Sequence, residues 1–232
     1  MSGAAKHGSG AEKVARFGLL VALSLILGYM DRAIPVTWFL SGAVPGIKLG
    51  LANTVLLYAV YLMDWKSTVL LMLTKVMLSG FLFGSMSAIL YSLAGGVLSL
   101  AVMLLVRKNP RAGSLVIGLL ALASAVLLLV KHPNPRGQML WCIVLIALAG
   151  AGSLVLYALL RRRPGLEIIA VSLAGAVAHN IGQILMAATV LHTPQLLYTY
   201  LPVLVGIGAV VGCLTGVIAD RVIHALHRKP TG

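Results

Sequence analysis

Charge is scarce in this chain, and negative charge scarcest of all. Charged residues make up 10% of the 232 residues, and only five are acidic. A soluble domain carries about 25% charged residues, so this chain could not cover its own surface in water. The five acids, Glu12, Asp31, Asp64, Glu167 and Asp220, never occur in pairs along the sequence. No acidic cluster is therefore readable that would hold a magnesium–diphosphate complex. The two cysteines, Cys142 and Cys213, stand apart in apolar runs without a Cys-x-x-Cys. Neither a disulfide framework nor a thiolate metal site is indicated. His132, His192 and His227 lack metal-ligand spacing. No Gly-x-x-x-x-Gly-Lys-Ser/Thr loop is present, which excludes ATP hydrolysis by that route. No Ser/His/Asp set is readable either. The expectation is a protein that is not an enzyme and carries no cofactor or metal of its own.

Hydrophobic residues dominate what is present, at 60%, with a mean hydropathy of +1.02. Lipid is the natural solvent for such a chain, and its length suits one bundle of spans at about 20 residues each. The net charge of +13 raises the question of nucleic acid. However, the basic residues gather at the ends of apolar runs, as Arg107-Lys108, Arg161-Arg162-Arg163 and Arg228-Lys229. They do not form a stripe with interleaved aromatics. Positive charge retained on the cytoplasmic side of a membrane accounts for them, and no nucleic-acid partner is expected.

Apolar runs bounded by charge, Pro or Gly predict an all-α, polytopic transmembrane bundle of about eight helices. They run roughly Lys13–Met30, Ile47–Met63, Trp65–Gly84, Ser85–Val106, Leu115–Val130, Met139–Leu160, Leu166–Val190 and Leu197–His227. Residues 1–12, polar and rich in small side chains, are expected to be a disordered cytoplasmic tail; residues 13–232 form a single transmembrane domain. The run Phe17–Met30 has no convincing Ala-x-Ala cleavage site after it, so it is read as a retained span. With both termini in the cytoplasm, thirteen of the eighteen Lys and Arg residues fall on the inner side. Four (Arg32, Lys48, Lys131 and Arg136) fall outside, and Lys75 lies within the membrane. That bias sets the orientation. Small residues recur at four-residue spacing, as Gly46/Gly50, Gly80/Gly84 and Gly208/Gly212/Gly216, a pattern that brings helix backbones close in lipid. Gly18 and Ala22 repeat the spacing in the first helix, for packing within the chain or for a partner.

Polar residues at membrane depth are the expensive ones. Lys75 lies near the middle of the third span, where a charged Lys costs about 2.5–3.5 kcal/mol on insertion scales. Asp31, near the outer end of the first helix, is its best candidate partner. The seventh span carries His179, Asn180 and Gln183, with Gln183 one turn beyond His179 on the same face. Asn53 lies in the outer half of the second span, after Lys48. Together these groups could line a polar pocket that opens outward, with Asp31, Arg32 and Lys48 at its mouth. The alternative for each residue alone is a hydrogen bond between helices, worth about 0.6 kcal/mol on average in lipid. The Gly95-Gly96 pair reads as packing at lipid depth, not as a phosphate cradle.

Four stretches carry a resemblance to a known family: Pro45-Gly46-Ile47-Lys48-Leu49-Gly50-Leu51-Ala52-Asn53, Tyr91-Ser92-Leu93-Ala94-Gly95-Gly96, Ser172 to Gln183, and Tyr200-Leu201-Pro202-Val203-Leu204. The chain resembles the Gx transporter family, also labelled heptaprenyl diphosphate synthase component I, over residues 30–108 and 164–220. That family is similar to the S components of energy-coupling-factor importers, which have a core of six helices. The resemblance implies a subunit of the prokaryotic cytoplasmic membrane that captures a small, vitamin-like solute. Separate ATPase and coupling subunits would drive its release. It also implies an alternative, a membrane subunit of a flavin- or quinone-linked electron-transfer system with a flavoprotein or quinone partner. The prenyl-synthase label implies at most a noncatalytic companion, since the carboxylates are missing. Two departures stand out. Lys75 occupies a position where the family would carry Arg, which weakens a bidentate anion contact. Residues 109–163 read as an inserted helical hairpin, turning outside at residues 131–136.

Overall fold

The computed structural model describes residues 10–33, 50–83, 86–131, 138–160 and 166–227. Lys48, the outer turn at residues 132–137, the basic run Arg161-Arg162-Arg163 and most of the expected tail lie outside the described residues.

Among the described residues the chain is helical throughout, with nine helices. They are α1 (Gly10–Ala33), α2 (Asn53–Leu62), α3 (Trp65–Phe83), α4 (Met86–Lys108), α5 (Pro110–Lys131), α6 (Gln138–Leu159), α7 (Glu167–Val190), α8 (Gln195–Thr199) and α9 (Leu201–His227). Six of these, α1, α3, α4, α5, α7 and α9, are long and apolar enough to cross a bilayer. The chain is a multi-pass helical membrane protein.

Local chemistry sets the element ends. Asp64 caps α3: its Oδ2 accepts the Ser67 amide at 3.1 Å and its Oδ1 accepts the Ser67 hydroxyl at 2.8 Å. Such a cap satisfies donors that have no partner inside the helix. Asn109 does the same for α5, accepting the Ala112 amide at 3.2 Å. Pro110 follows at the first helical position, where its missing N–H costs nothing, so α5 starts at Pro110 and not at Leu115. The end of α7 is a Schellman motif, with His192 left-handed at φ 49°. The Thr193 amide reaches the Ala188 carbonyl, and the His192 amide reaches that of Thr189. The long final run is split by the short α8, and Pro202 enters α9 in its first turn.

The second helix departs from expectation. It begins at Asn53, because Gly50 turns the chain at φ +90° and the Asn53 amide bonds back to the Gly50 carbonyl. A left-handed Gly followed by a turn is incompatible with a helix running through from residue 47.

The bundle is built around α7, which packs most extensively against α4 and α9. Its small residues permit this closeness. A Cβ on Gly182 would sit 2.7 Å from the Ala94 carbonyl oxygen of α4. The ladder Gly208, Gly212 and Gly216 of α9 lies against α7 in the same way, at Asn180, Leu173 and Ile169. The ladder therefore packs within the chain. By contrast, nothing lies within 4 Å of a Cβ placed on Gly18 of α1.

Contacts across the helix ends place the described basic residues expected inside at one end of the bundle. Lys13 and Arg16 of α1 share a crevice with Leu62, Met63 and Asp64 at the α2–α3 turn. Arg107 at the end of α4 donates to the Val60 carbonyl and stacks over the Tyr61 ring. Arg111 at the start of α5 donates twice to the Leu160 carbonyl, at 3.1 and 3.3 Å.

Candidate functional site

Four helix segments converge at the opposite half of the bundle around a cavity of about 20 Å³. Its lining includes Asp31 of α1, Asn53 of α2, Lys75 of α3 and His179 of α7, together with Ser79 and Ser92. Asp31, Asn53, Lys75 and His179 are all more than nine-tenths buried.

The turn at Gly50 positions two of them. Asp31 Oδ2 accepts the Gly50 amide at 3.1 Å, and the amides of Leu51 and Ala52 add to the same carboxylate. A carboxylate from α1 thus neutralises the N-terminal turn of α2, where unpaired amides and the helix dipole favour an anion. Gly50 also lies against His179, since a Cβ there would sit 3.4 Å from the imidazole Cδ2. Lys75 reaches back from mid-membrane and donates from Nζ to the Ala52 carbonyl at 3.0 Å. It interacts electrostatically with Asp31 across the cavity. An acid within electrostatic reach lowers the cost of a charged Lys at that depth.

Asn53 begins a relay between helices. Its Nδ2 donates to Ser99 Oγ at 2.8 Å, and Ser99 donates in turn to the Gly175 carbonyl at 2.8 Å. Because the Ser99 proton goes to Gly175, the Asn53 amide orientation is fixed. Asn53 Oδ1, buried, has no hydrogen-bond partner, and neither has Asp31 Oδ1.

The remaining sequence candidates fall elsewhere. Asn180 turns to α9, where its Nδ2 donates to the Leu204 carbonyl at 2.8 Å. Gln183 is fully buried, with its Cγ against Gly95. Neither lines the cavity. Gly95 lets α4 approach both: a Cβ there would meet His179 Nδ1 at 2.8 Å and Gln183 Cγ at 2.9 Å. Gly96, on the other side, packs against Met72 of α3. Gly95-Gly96 is therefore a packing element.

Sequence reasoning missed Ser99, Ser79, Ser92 and the Ala52 carbonyl. Hydroxyls in apolar runs give no signal of their own, since Ser commonly bonds within its own helix. Ser124 does so, donating to the Leu120 carbonyl at 2.8 Å. Among the described residues, no group of three His, Cys, Asp or Glu is placed to hold a metal ion.

The chain matches the heptaprenyl diphosphate synthase component I family over residues 20–131 and 126–222. It belongs to that family. No curated protein and no solved structure matches it. The two matched segments meet where α5 ends, so both halves of the cavity, Asp31 to Lys75 and His179, lie in family sequence.

Proposed function

We propose that this family member is the substrate-binding subunit of a multicomponent importer in a prokaryotic cytoplasmic membrane. The observation that carries this reading is the convergence of Asp31, Asn53, Lys75 and His179, from four helices, on one buried cavity. Intramembrane ionisable groups are costly and mark solute or ion pathways. Part of the arrangement is structural, because Asp31 caps α2 and Asn53 ties α2 to α4. The two acceptor atoms left over, Asp31 Oδ1 and Asn53 Oδ1, support a ligand role. A solute that presents N–H or O–H donors satisfies them; a carboxylate or phosphate does not. The cavity of about 20 Å³ has room for about one water. This conformation is the closed one, and entry of a solute requires α1 and α2 to part from α3 and α7. Asn180 and Gln183 support the pocket from behind. Both termini stay inside, and α5–α6 are an addition to a six-helix core. Energy comes from separate ATPase and coupling subunits.

The test is native mass spectrometry of the protein extracted gently from its own membranes. Capture of a water-soluble metabolite, lost in His179→Ala and Asn53→Ala, is the expected result. Undiminished capture and uptake in both variants would sink the pocket assignment. A quinone or flavoprotein in place of a metabolite would establish the electron-transfer alternative.

The family's description favours a second reading, a noncatalytic membrane companion of polyprenyl diphosphate synthesis. It requires that adding this protein to a catalytic partner raises product formation; no change in rate or chain length would remove it.

A further inference from the structure

A second cavity lies on the far side of α7, with a volume of about 440 Å³. Its walls are Leu148, Val155 and Leu159 of α6, Ile169 of α7, and Val210 and Leu214 of α9. The cause is visible in the packing. Helix α6 is paired with α5 through Gly118 and Gly150, where an added Cβ would come within 3.3 Å of the facing carbonyl oxygens. It also packs on α9, but it meets α7 only near its C-terminal end, where Leu156 and the following Leu160 cluster with Ile169 and Ala170, and a groove remains between them. Leu148, Val155 and Leu214 are each more than half exposed, so the groove opens toward the bilayer. The lining is almost wholly apolar. Its one hydroxyl, that of Ser153, is already spent on the Ser114 carbonyl at 2.8 Å.

An apolar space of this size, open to lipid, is filled by hydrocarbon, because an empty one forfeits the contacts of its whole lining. The position of charge selects which hydrocarbon. The groove occupies the half of α6 and α7 nearer the end where the described basic residues gather, and reaches the middle of α9 at Leu214. Arg111 is bound to the Leu160 carbonyl, one residue beyond the groove wall at Leu159. Arg221 lies seven residues past Leu214 on α9, about 10 Å along the axis and on the same face. It is exposed. The acids at this end are Glu12, paired with Arg16, and Asp64 in the crevice of α1 and α3, Glu167 at the start of α7, and Asp220, which pairs with His224 at 3.2 Å. Basic recesses between spans on the cytoplasmic side hold anionic headgroups.

We propose that this groove binds an anionic phospholipid of the inner leaflet, one acyl chain lying along α6 and α9 and the headgroup against Arg111 and Arg221. This site is independent of the polar cavity, from which α7 separates it.

Gly152 supplies the test. It lines the groove, and nothing lies within 4 Å of a Cβ built on it, so a side chain added there starts in open space at the groove wall. The full-length protein, in a non-denaturing detergent, is titrated with phosphatidylglycerol and with phosphatidylcholine of the same chains. Native mass spectrometry reads the bound lipid. The wild type is expected to retain one phosphatidylglycerol at least about tenfold more tightly than phosphatidylcholine. Gly152→Leu should lower that binding about tenfold, with an unchanged melting temperature. Arg221→Gln should narrow the preference between the two lipids and leave phosphatidylcholine binding as it was. Val155→Trp, from an exposed wall position, replaces Gly152→Leu if the latter does not fold. Equal retention of both lipids by the wild type, or wild-type binding by the groove-filling variant that folds, would overturn the proposal.

Discussion

Helices α1 and α7 have the same length and spanning windows of the same mean hydropathy, yet their surroundings are opposite. In its spanning window α7 is 89% buried within the protein, and α1 is 17% buried. Hydropathy measures transfer into an apolar medium, and lipid and protein interior are alike in that respect. What separates the two helices is the size of their side chains. From Ala170 to Gly182, α7 presents Ala170, Ser172, Ala174, Gly175, Ala176, Ala178 and Gly182, and neighbouring backbones close on them. Leu19, Ile26 and Tyr29 of α1 project outward, each more than half exposed. Between these two helices, small residues accompany the central position and large apolar ones face the lipid. The outer end of α1 is the exception, since Asp31 is buried in the polar cavity.

That exception provides the largest expected effect. Replacing Asp31 by Asn removes the carboxylate that offsets Lys75 and caps α2. The loss of both roles at a buried site costs up to about 3–5 kcal/mol. Thermal unfolding in detergent should show the loss, and the double variant Asp31→Asn/Lys75→Met should recover part of it. Additive losses would mean that the two groups are not coupled. Next comes a direct contest between the two helices. Gly182→Ala forces a Cβ into the α4 backbone and should cost about 1–3 kcal/mol, whereas Gly18→Ala should leave the melting temperature unchanged. Equal effects would break the distinction between hub and periphery.

A smaller effect is expected at Asn53. Asn53→Ala cuts the relay to Ser99 and Gly175, and interhelical hydrogen bonds in lipid are worth about 0.6 kcal/mol on average. A loss of several kcal/mol would show that Asn53 is mainly structural and weaken its assignment to the solute. The smallest effect lies at the rim, where Asp64 caps α3. The Ser67 amide, and then its hydroxyl, hold the Asp64 carboxyl below the usual carboxylate range. A lowered folded-state pKa stabilises the protein above the unfolded value, and that contribution is lost as pH falls through the folded value. Asp64→Ala should therefore lower the melting temperature slightly at neutral pH and flatten the acid-side decline, so that the two profiles converge at low pH. An unaltered pH profile would remove the cap from the account.

Much of this was legible from residue types alone. The spans, the gathering of basic residues at one end and the Gly208/Gly212/Gly216 ladder follow from hydropathy, charge and spacing, which act locally along the chain. Asp31 could be named as the acid that shares a cavity with Lys75 because acids are so few. The division of labour in the seventh span was not legible. His179 and Asn180 are adjacent, but successive helical residues differ in direction by about 100°, so one faces the cavity and the other faces α9. Which direction is which depends on where α4 and α9 dock.

The sequence by itself thus determined the medium, the helical class and the set of residues expensive enough to need a reason. Composition decides solvation before any fold forms, and an unpaired charge in lipid is costly in every arrangement. Only the tertiary structure decided that α2 starts late, at Asn53, so that a carboxylate from α1 and an ammonium from α3 meet at its first turn. It alone decided that α6 meets α7 only at one end and leaves an apolar groove between them. Both outcomes depend on contacts between segments distant in sequence, set by steric fit between helix surfaces, and periodicity within one helix carries no record of them.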